Sequence, residues 1–147
     1  MSVSFRTTFA DFMSQQTMDA CAQEDNCIAL LEGIFREGSI LARIMVQGDV
    51  SNVSVYDPAA GSGTLVLALA HQIGEQNCTI FTQDISAKSN EFLRLNLILN
   101  NLVHSLGNVV HDDTLIAPRH LNARKNGLAK FDYIVSNPPC LYNTLLP

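Results

Sequence analysis

From Val53 onward, the chain alternates short runs of β-branched and aromatic residues with longer stretches of helical periodicity. The pattern predicts strands at 53–56, 79–82, 109–111 and 131–135, and helices at 64–72 and 87–100. Such alternation is typical of βαβ units, which form a parallel sheet with right-handed crossovers. We therefore predict an α/β fold with the strand order 3-2-1-4, in which the fourth strand is an uncovered edge. Ligands bind at the carboxyl ends of the strands in such sheets.

The first fifty residues differ from this pattern. They contain no clear strand, and their apolar residues recur at helical intervals, with Gly38 between two helical stretches and Gly48 at the end of the second. We therefore divide the chain into an N-terminal helical region over 1–50 and an α/β region over 51–147.

The longest predicted helix begins after Ser86, a residue type that suits the N-cap position. Its apolar residues are expected to form one stripe that faces the core, and three further apolar residues beside the stripe widen it. The stripe consists of Phe92, Leu95, Leu99 and Leu102, and the widening residues are Leu93, Leu97 and Ile98.

Composition limits the class of protein. The chain of 147 residues is 47% hydrophobic and 16% charged, which indicates a globular protein and excludes a disordered one. A net charge of −5 argues against broad, non-specific binding to nucleic acid. The apolar runs are too short to span a bilayer, no signal peptide is evident, and the four cysteines have no metal-ligand spacing. We therefore expect a soluble cytoplasmic protein with reduced thiols, no metal and no membrane partner.

A loop of small residues joins the first predicted strand to the first predicted helix. It reads Asp57-Pro58-Ala59-Ala60-Gly61-Ser62-Gly63-Thr64. Small residues let a ligand approach the backbone, and the amides of the following helix face that ligand. Asp84 ends the next strand about 20 residues later, where an acidic residue can bind both ribose hydroxyls of a nucleoside. Val66 stands where the dinucleotide motif has its third glycine, which disfavours a pyrophosphate ligand.

Asp57 narrows the choice of ligand further. A carboxylate immediately before the glycines would repel a pyrophosphate, but it can hold an ammonium group. A nucleoside that bears an amino-acid tail and no phosphate is S-adenosylmethionine. The alternative is a plain strand-to-helix turn in which Asp57 is only a cap.

Two further carboxylates, Asp112 and Asp113, follow the third predicted strand, ahead of Thr114. A carboxylate in this place can accept a hydrogen bond from an adenine amino group. The residues alone do not choose between the two, and a solvated turn is the alternative interpretation.

The tetrapeptide Asn137-Pro138-Pro139-Cys140 follows the fourth predicted strand. Consecutive prolines fix a rigid turn and hold Asn137 extended, so that an amide oxygen and a proline carbonyl can point into a cleft. Two such acceptors suit the exocyclic amine of adenine, a poor nucleophile because its lone pair is delocalised into the ring. Hydrogen bonds to the amine would offset the charge that develops when it attacks a methyl group.

Taken in this order, the motifs resemble those of N6-adenine DNA methyltransferases, and more closely the modification (M) subunit of type I restriction–modification systems. The resemblance implies a Rossmann-like fold with an incomplete parallel sheet, S-adenosyl-L-methionine as cofactor, and site-specific methyl transfer to a flipped adenine. It also implies specificity and restriction subunits as partners, with DNA reached through the specificity subunit. By resemblance, the cofactor would be bound by Asp57, Ala59, Gly61, Ser62, Gly63, Thr64, Asp84, Ile85, Asp113 and Thr114, with Asp113 contacting its adenine. The target amine would be held by Asn137, Pro138, Pro139 and Cys140.

The chain departs from the family pattern at three places. Cys140 stands where the family usually has an aromatic residue that stacks on the flipped base, an interaction worth about 1–3 kcal/mol. Segment 33–38 lacks the tyrosine and proline of the family's corresponding segment. The sequence ends at Pro147, before three further strands of the family domain, so we expect the first half of a catalytic domain.

Two alternatives remain at this point. The first is a non-catalytic, M-like module that only binds partner subunits. The second is another methyltransferase that uses an Asn-Pro-Pro motif, such as a protein glutamine methyltransferase. The leading hypothesis requires Gly61 and Asn137 to lie on neighbouring loops.

Overall fold

The computed structural model of the protein describes residues 38–138. Its four strands form one parallel sheet in the order β3-β2-β1-β4, as predicted. The strands are β1 (Val53–Asp57), β2 (Cys78–Asp84), β3 (Val109–His111) and β4 (Tyr133–Ile134). Within the described residues β4 pairs only with β1. The helices predicted before residue 38, and the segment 33–37, lie outside the described part of the chain.

The helices are α1 over 38–45, α2 (Thr64–Ile73) and α3 (Ala87–Leu99), with two 3₁₀ turns at Glu75–Asn77 and Val103–Asn108. Gly74 ends α2 with a φ of 96°. The Ser86 hydroxyl accepts a hydrogen bond from the Ser89 amide at 3.2 Å, which confirms Ser86 as the N-cap of α3. Within residues 38–138 no helix has the length and apolar content to cross a membrane.

One hydrophobic core lies between the sheet and the helices. Val55 and Ile80 contribute to it from the sheet, and Leu69 from α2. Ala42 of α1 and the following Val46 belong to the same core, and the boundary at residue 50 remains a prediction. Gly38, the first described residue, is helical and packs near Ala68, and its expected place between two helices stays a prediction.

The buried face of α3 differs from the predicted stripe. Leu93 and Leu97 are fully buried, whereas Leu95 and Leu99 are 46% and 47% exposed. The buried face also contains two asparagines, Asn90 and Asn96. Because both side-chain amides donate to backbone carbonyls, part of the cost of burying them is offset, and the helix can turn this mixed face inward. Asn90 Oδ1 is buried without a hydrogen-bond partner in the described part of the chain. The residues expected to widen the stripe, Leu93 and Leu97, are therefore its centre.

The segment between β3 and β4 covers part of the second face of the sheet. It contains a short antiparallel bridge between Leu121 and Leu128. At its base the His120 ring meets Tyr56 and Phe81 edge-on, with centroids 5.3 and 5.5 Å away. Phe131 stacks on Tyr56 at 4.6 Å. These ring contacts hold the segment against the sheet beside β4.

Candidate active site

The loops that follow the strands meet at the carboxyl edge of the sheet, around the end of β1. The Thr114 hydroxyl, after β3, donates to the Pro58 carbonyl at 2.6 Å. The Val135 amide, directly after β4, donates to the Tyr56 carbonyl at 3.0 Å. Segments that follow two different strands are thus tied to neighbouring residues at the end of β1, and Asn137 comes two residues after one of these contacts. The turn that carries Asn137 therefore lies beside the loop that carries Gly61.

Asp57 is a buried carboxylate at the centre of this arrangement, with a side chain only 1% exposed. Its Oδ1 accepts a hydrogen bond from the Ala59 amide at 3.0 Å. Burial raises the pKa of Asp57 to about 6, and the nearby charge of Asp84 adds to this effect. The hydrogen bond from Ala59 and the Ser136 side chain lower the pKa of Asp57 and so act in the opposite direction. A cationic ligand group at this carboxylate would favour its ionised form.

The two glycines of the loop have different surroundings. Gly61 has a φ of 54°, and a Cβ built on it would meet no atom within 4 Å. Gly63 is the N-cap of α2 with a φ of 88°, and a Cβ there would overlap the side chain of Leu93. Gly61 therefore borders open space in which a ligand can approach the backbone, whereas Gly63 permits close packing of the loop on α3.

Asp84 connects the end of β2 to the glycine loop. One carboxylate oxygen accepts from the Gly61 amide and the other from the Ser86 amide, each at 2.8 Å. A carboxylate offers about four acceptor positions, so two remain for a ligand. Ile85, the next residue, has a side chain that is 67% exposed.

Asp112 and Asp113, the carboxylates after β3, have different partners. Asp112 forms an ion pair with Arg119 at 2.6 Å, and the hydrogen bond from Arg119 lowers its pKa. Asp113 accepts from the Leu115 amide through Oδ1 at 2.8 Å, and within residues 38–138 its Oδ2 makes no hydrogen bond. Asp113 is therefore the carboxylate with a free acceptor oxygen.

The remaining predicted residues are placed as follows. Ser62 is buried, and its hydroxyl lies 3.3 Å from that of Thr64. Asn137 and Pro138 are exposed. Pro139 and Cys140 lie outside the described residues.

Three polar side chains that the sequence analysis missed hold these loops in place. Asn96 donates to the Ser62 carbonyl at 3.0 Å, and Asn90 donates to the Asp84 carbonyl at 3.0 Å. Gln83 is fully buried and bonds both Ala117 and Arg119 of the segment after β3. The sequence contains one indication of them. Asn90 lies at helical spacing from Leu93 and Leu97, so its amide is expected on the face of the helix that packs in the core.

Asn96→Leu should lower the free energy of unfolding by about 1–3 kcal/mol, because the buried Ser62 carbonyl loses its donor. Urea denaturation followed by circular dichroism measures the change. Glu91→Leu, on the exposed side of the same helix, is the matched control and should remain within about 0.5 kcal/mol of wild type. Equal effects of the two variants would contradict the anchoring role of Asn96.

Within the described part of the chain, no group of histidine, cysteine, aspartate or glutamate side chains is arranged to hold a metal ion.

Comparisons with known proteins agree with the fold and the motifs. The model of the N-6 DNA Methylase family matches residues 33–144, more than half of the chain. The type I restriction enzyme MpnII methylase subunit of Mycoplasma pneumoniae is 32% identical over 108 residues. This match covers 68% of the present chain and 19% of that protein.

Two solved structures share the fold. The methyltransferase subunit of a type I restriction–modification system from Streptococcus thermophilus superposes with a TM-score of 0.60 at 24% identity, over 69% of this chain and 21% of that one. A Methanococcus maripaludis protein classed as an S-adenosyl-L-methionine-dependent methyltransferase gives a TM-score of 0.53 at 24% identity, over 76% and 47% of the two chains. The chain thus spans about one fifth of the type I subunits that it matches. On the extent of the family match, this chain belongs to the N-6 DNA Methylase family.

Proposed function

We propose that this chain supplies the cofactor loop and the target-amine loop of an N6-adenine DNA methyltransferase of the type I modification-subunit kind. The observation that carries the proposal is the pair of ties at the end of β1, from Thr114 to Pro58 and from Val135 to Tyr56. They support a position of the Asn137 turn beside the glycine loop, which the proposal requires because methyl transfer needs its donor and acceptor side by side.

The residues present fit S-adenosyl-L-methionine. The open space beside Gly61 is the cradle through which its amino-acid end can approach the backbone, because a Cβ there would meet nothing. Asp57 would hold the ammonium group, and Asp84 would accept from the ribose hydroxyls with its two remaining positions. Ile85 would cover the adenine ring, and Oδ2 of Asp113 would accept from its amine. The remaining loop residues, Ala59, Ser62, Gly63 and Thr64, would shape the cradle.

The target adenine would be held by the turn after β4. When bound, the cofactor would supply an electrophilic methyl group on a sulfonium, whose carbon–sulfur bond breaks as the carbon–nitrogen bond to the amine forms. The side-chain oxygen of Asn137 and the carbonyl of Pro138 would accept hydrogen bonds from the amine and favour its attack. Pro139 and Cys140 complete this proposed site. Specificity and restriction subunits are the proposed partners, in line with the type I relatives, and DNA would be reached through the specificity subunit.

Calorimetric titration with S-adenosyl-L-methionine tests the cofactor site. Asp84→Asn should weaken binding about 10- to 100-fold, because the amide cannot accept from both Gly61 and Ser86 and loses the charge that favours the ribose hydroxyls. Asp49→Asn, at an exposed position before β1, is the control and should bind as wild type does. Unchanged affinity of Asp84→Asn would contradict the proposed site. Absence of binding by the wild-type chain would favour a non-catalytic assembly module.

Transfer of a radiolabelled methyl group identifies the acceptor. The chain is incubated with duplex DNA and, in a separate reaction, with a glutamine-containing peptide. Both reactions are run with the chain alone and with the chain together with a specificity subunit. Label on adenine N6 is the expected result. Label on the peptide and not on DNA would replace the proposal with a protein glutamine methyltransferase.

A further inference from the structure

We propose that Gln83 is a positioning residue for the adenine of the cofactor, because it fixes the turn that carries Asp113 in place relative to Asp84. The inference rests on the proposed function, in which Asp84 would bind the ribose and Asp113 the adenine amine. It deepens that function by assigning the selection of an amine-bearing purine to a buried side chain that would itself touch no ligand. Gln83 would act only through Asp113.

The turn after β3 is closed by hydrogen bonds to one residue, Asp113. Its Oδ1 accepts from the amides of Leu115 and Ile116 at 2.8 and 3.3 Å, and its main-chain carbonyl accepts from the Ala117 amide at 2.7 Å. These bonds fix the Asp113 carboxylate relative to the turn and leave Oδ2 as the oxygen without a partner in residues 38–138. The position of Oδ2 therefore follows the position of the whole turn.

Gln83 anchors the far end of this turn. Its Nε2 donates to the Ala117 carbonyl at 2.8 Å, and its Oε1 accepts from the Arg119 amide at 3.0 Å. The side chain is fully buried, so water does not compete for these bonds. Gln83 lies in β2, which is paired on both sides, and Asp84 is the next residue of that strand. The two carboxylates that would hold the nucleoside thus share one rigid support.

The turn has little apolar contact of its own. The side chains of Leu115 and Ile116 are 94% and 83% exposed, so they contribute almost no hydrophobic packing. The Thr114 hydroxyl holds the near end of the turn through the Pro58 carbonyl. Hydrogen bonds therefore fix the turn, and Gln83 supplies the buried ones at its far end.

Loss of the Gln83 amide would leave the Ala117 carbonyl without its donor and let the turn move relative to β2. Asp84 would keep its place, because it is held independently by the amides of Gly61 and Ser86. The loss would therefore fall on the contact with the adenine amine and not on the ribose contact. A general loss of stability would instead weaken both contacts alike.

Calorimetric titration with two ligands tests the proposal. The ligands are S-adenosyl-L-methionine and its analogue in which a hydrogen replaces the adenine amine. The wild-type chain should prefer the amine-bearing ligand by about 10- to 100-fold, as expected for one hydrogen bond to a charged acceptor. Gln83→Met keeps the length of the side chain without its hydrogen bonds, and the preference should fall to about 3-fold or less.

Ser105→Ala is the matched control. It removes a buried hydrogen bond to the Ile80 amide of the same strand, away from the turn. This variant should lose stability and keep the wild-type preference. Gln83→Asn is a milder second variant, since it retains a buried amide but is too short to reach both Ala117 and Arg119. Its preference should also fall.

Hydrogen exchange of the cofactor-free chain gives a readout that does not depend on ligand binding. The amides of Leu115 and Ile116 should exchange about 10-fold faster in Gln83→Met than in wild type, and in Ser105→Ala they should change no more than the amides of the sheet. A wild-type preference retained in Gln83→Met and Gln83→Asn, or lost equally in Ser105→Ala, would overturn the role of Gln83 alone. Absence of binding of both ligands by the wild type would overturn the proposed function and this role together.

Discussion

Gly63→Ala should lower the free energy of unfolding by about 2–4 kcal/mol, a large fraction of the stability of a domain of this size. Two costs combine at this position. The φ of 88° is one that a residue with a Cβ adopts at a cost of about 1–2 kcal/mol. The added methyl would also overlap Leu93 of α3, and overpacking of a core costs about 1–3 kcal/mol.

Gly61→Ala is the matched comparison, because it shares the positive φ but not the steric overlap. It should lose only about 1–2 kcal/mol of stability. Its main effect should be on cofactor affinity, since the new methyl enters the open space beside the loop. Gly107→Ala, at a position with ordinary φ and open surroundings, should be close to wild type in both properties.

Urea denaturation gives the stability of the three alanine variants, and calorimetry gives their cofactor affinity. The expected pattern is a stability defect that is largest at Gly63 and an affinity defect that is clearest at Gly61. Equal destabilisation by Gly61→Ala and Gly63→Ala would show that Leu93 moves aside at little cost. The assignment of packing to Gly63 and of ligand access to Gly61 would then be wrong.

The sheet was predictable from the sequence because its strands are short β-branched and aromatic runs bounded by glycine, proline and aspartate. Strand ends were less predictable, since pairing depends on neighbours. β2, paired on both sides, extends over Cys78–Asp84 where 79–82 was predicted. β4, paired only with β1 in the described chain, is limited to Tyr133–Ile134 where 131–135 was predicted.

The orientation of α3 was predicted wrongly for a physical reason. Apolar periodicity treats asparagine as a surface residue, but Asn90 and Asn96 find backbone carbonyls to bond and are buried with Leu93 and Leu97. The partner of Asn96 is the Ser62 carbonyl, 34 residues earlier, so the helix alone does not reveal it. Asn90 bonds the Asp84 carbonyl, six residues earlier in the turn that precedes the helix.

The ties at the proposed active site were unpredictable for the same reason. Thr114 and Pro58 are 56 residues apart, and hydroxyl side chains are too common at strand ends to indicate their partners. The motifs specified which chemical groups gather at the carboxyl edge. The hydrogen bonds that set the distances between them follow only from the folded chain.

Asp57→Asn should make the folded chain more stable than wild type above pH 6, while removing its affinity for the proposed cofactor. The pKa of Asp57 is higher in the fold than its ordinary value of 3.8, so the fold favours the protonated form. The contribution of this group to stability is therefore complete below about pH 4 and is lost as the pH rises to about 6. With a folded pKa of about 6, the loss amounts to at most about 3 kcal/mol at neutral pH.

Asparagine is neutral and of the same size, and its oxygen can still accept from the Ala59 amide. Urea denaturation of wild type and Asp57→Asn at intervals between pH 4 and about 8 should give curves that separate as the wild type ionises. Asp49→Asn, at an exposed site, should reproduce the wild-type curve. A variant less stable than wild type at neutral pH would mean that the hydrogen bond from the Ala59 amide to the ionised carboxylate outweighs the cost of burying the charge. A gain in stability with lost cofactor binding would instead show that Asp57 serves the ligand at a cost to stability, because no cationic side chain within residues 38–138 compensates its charge.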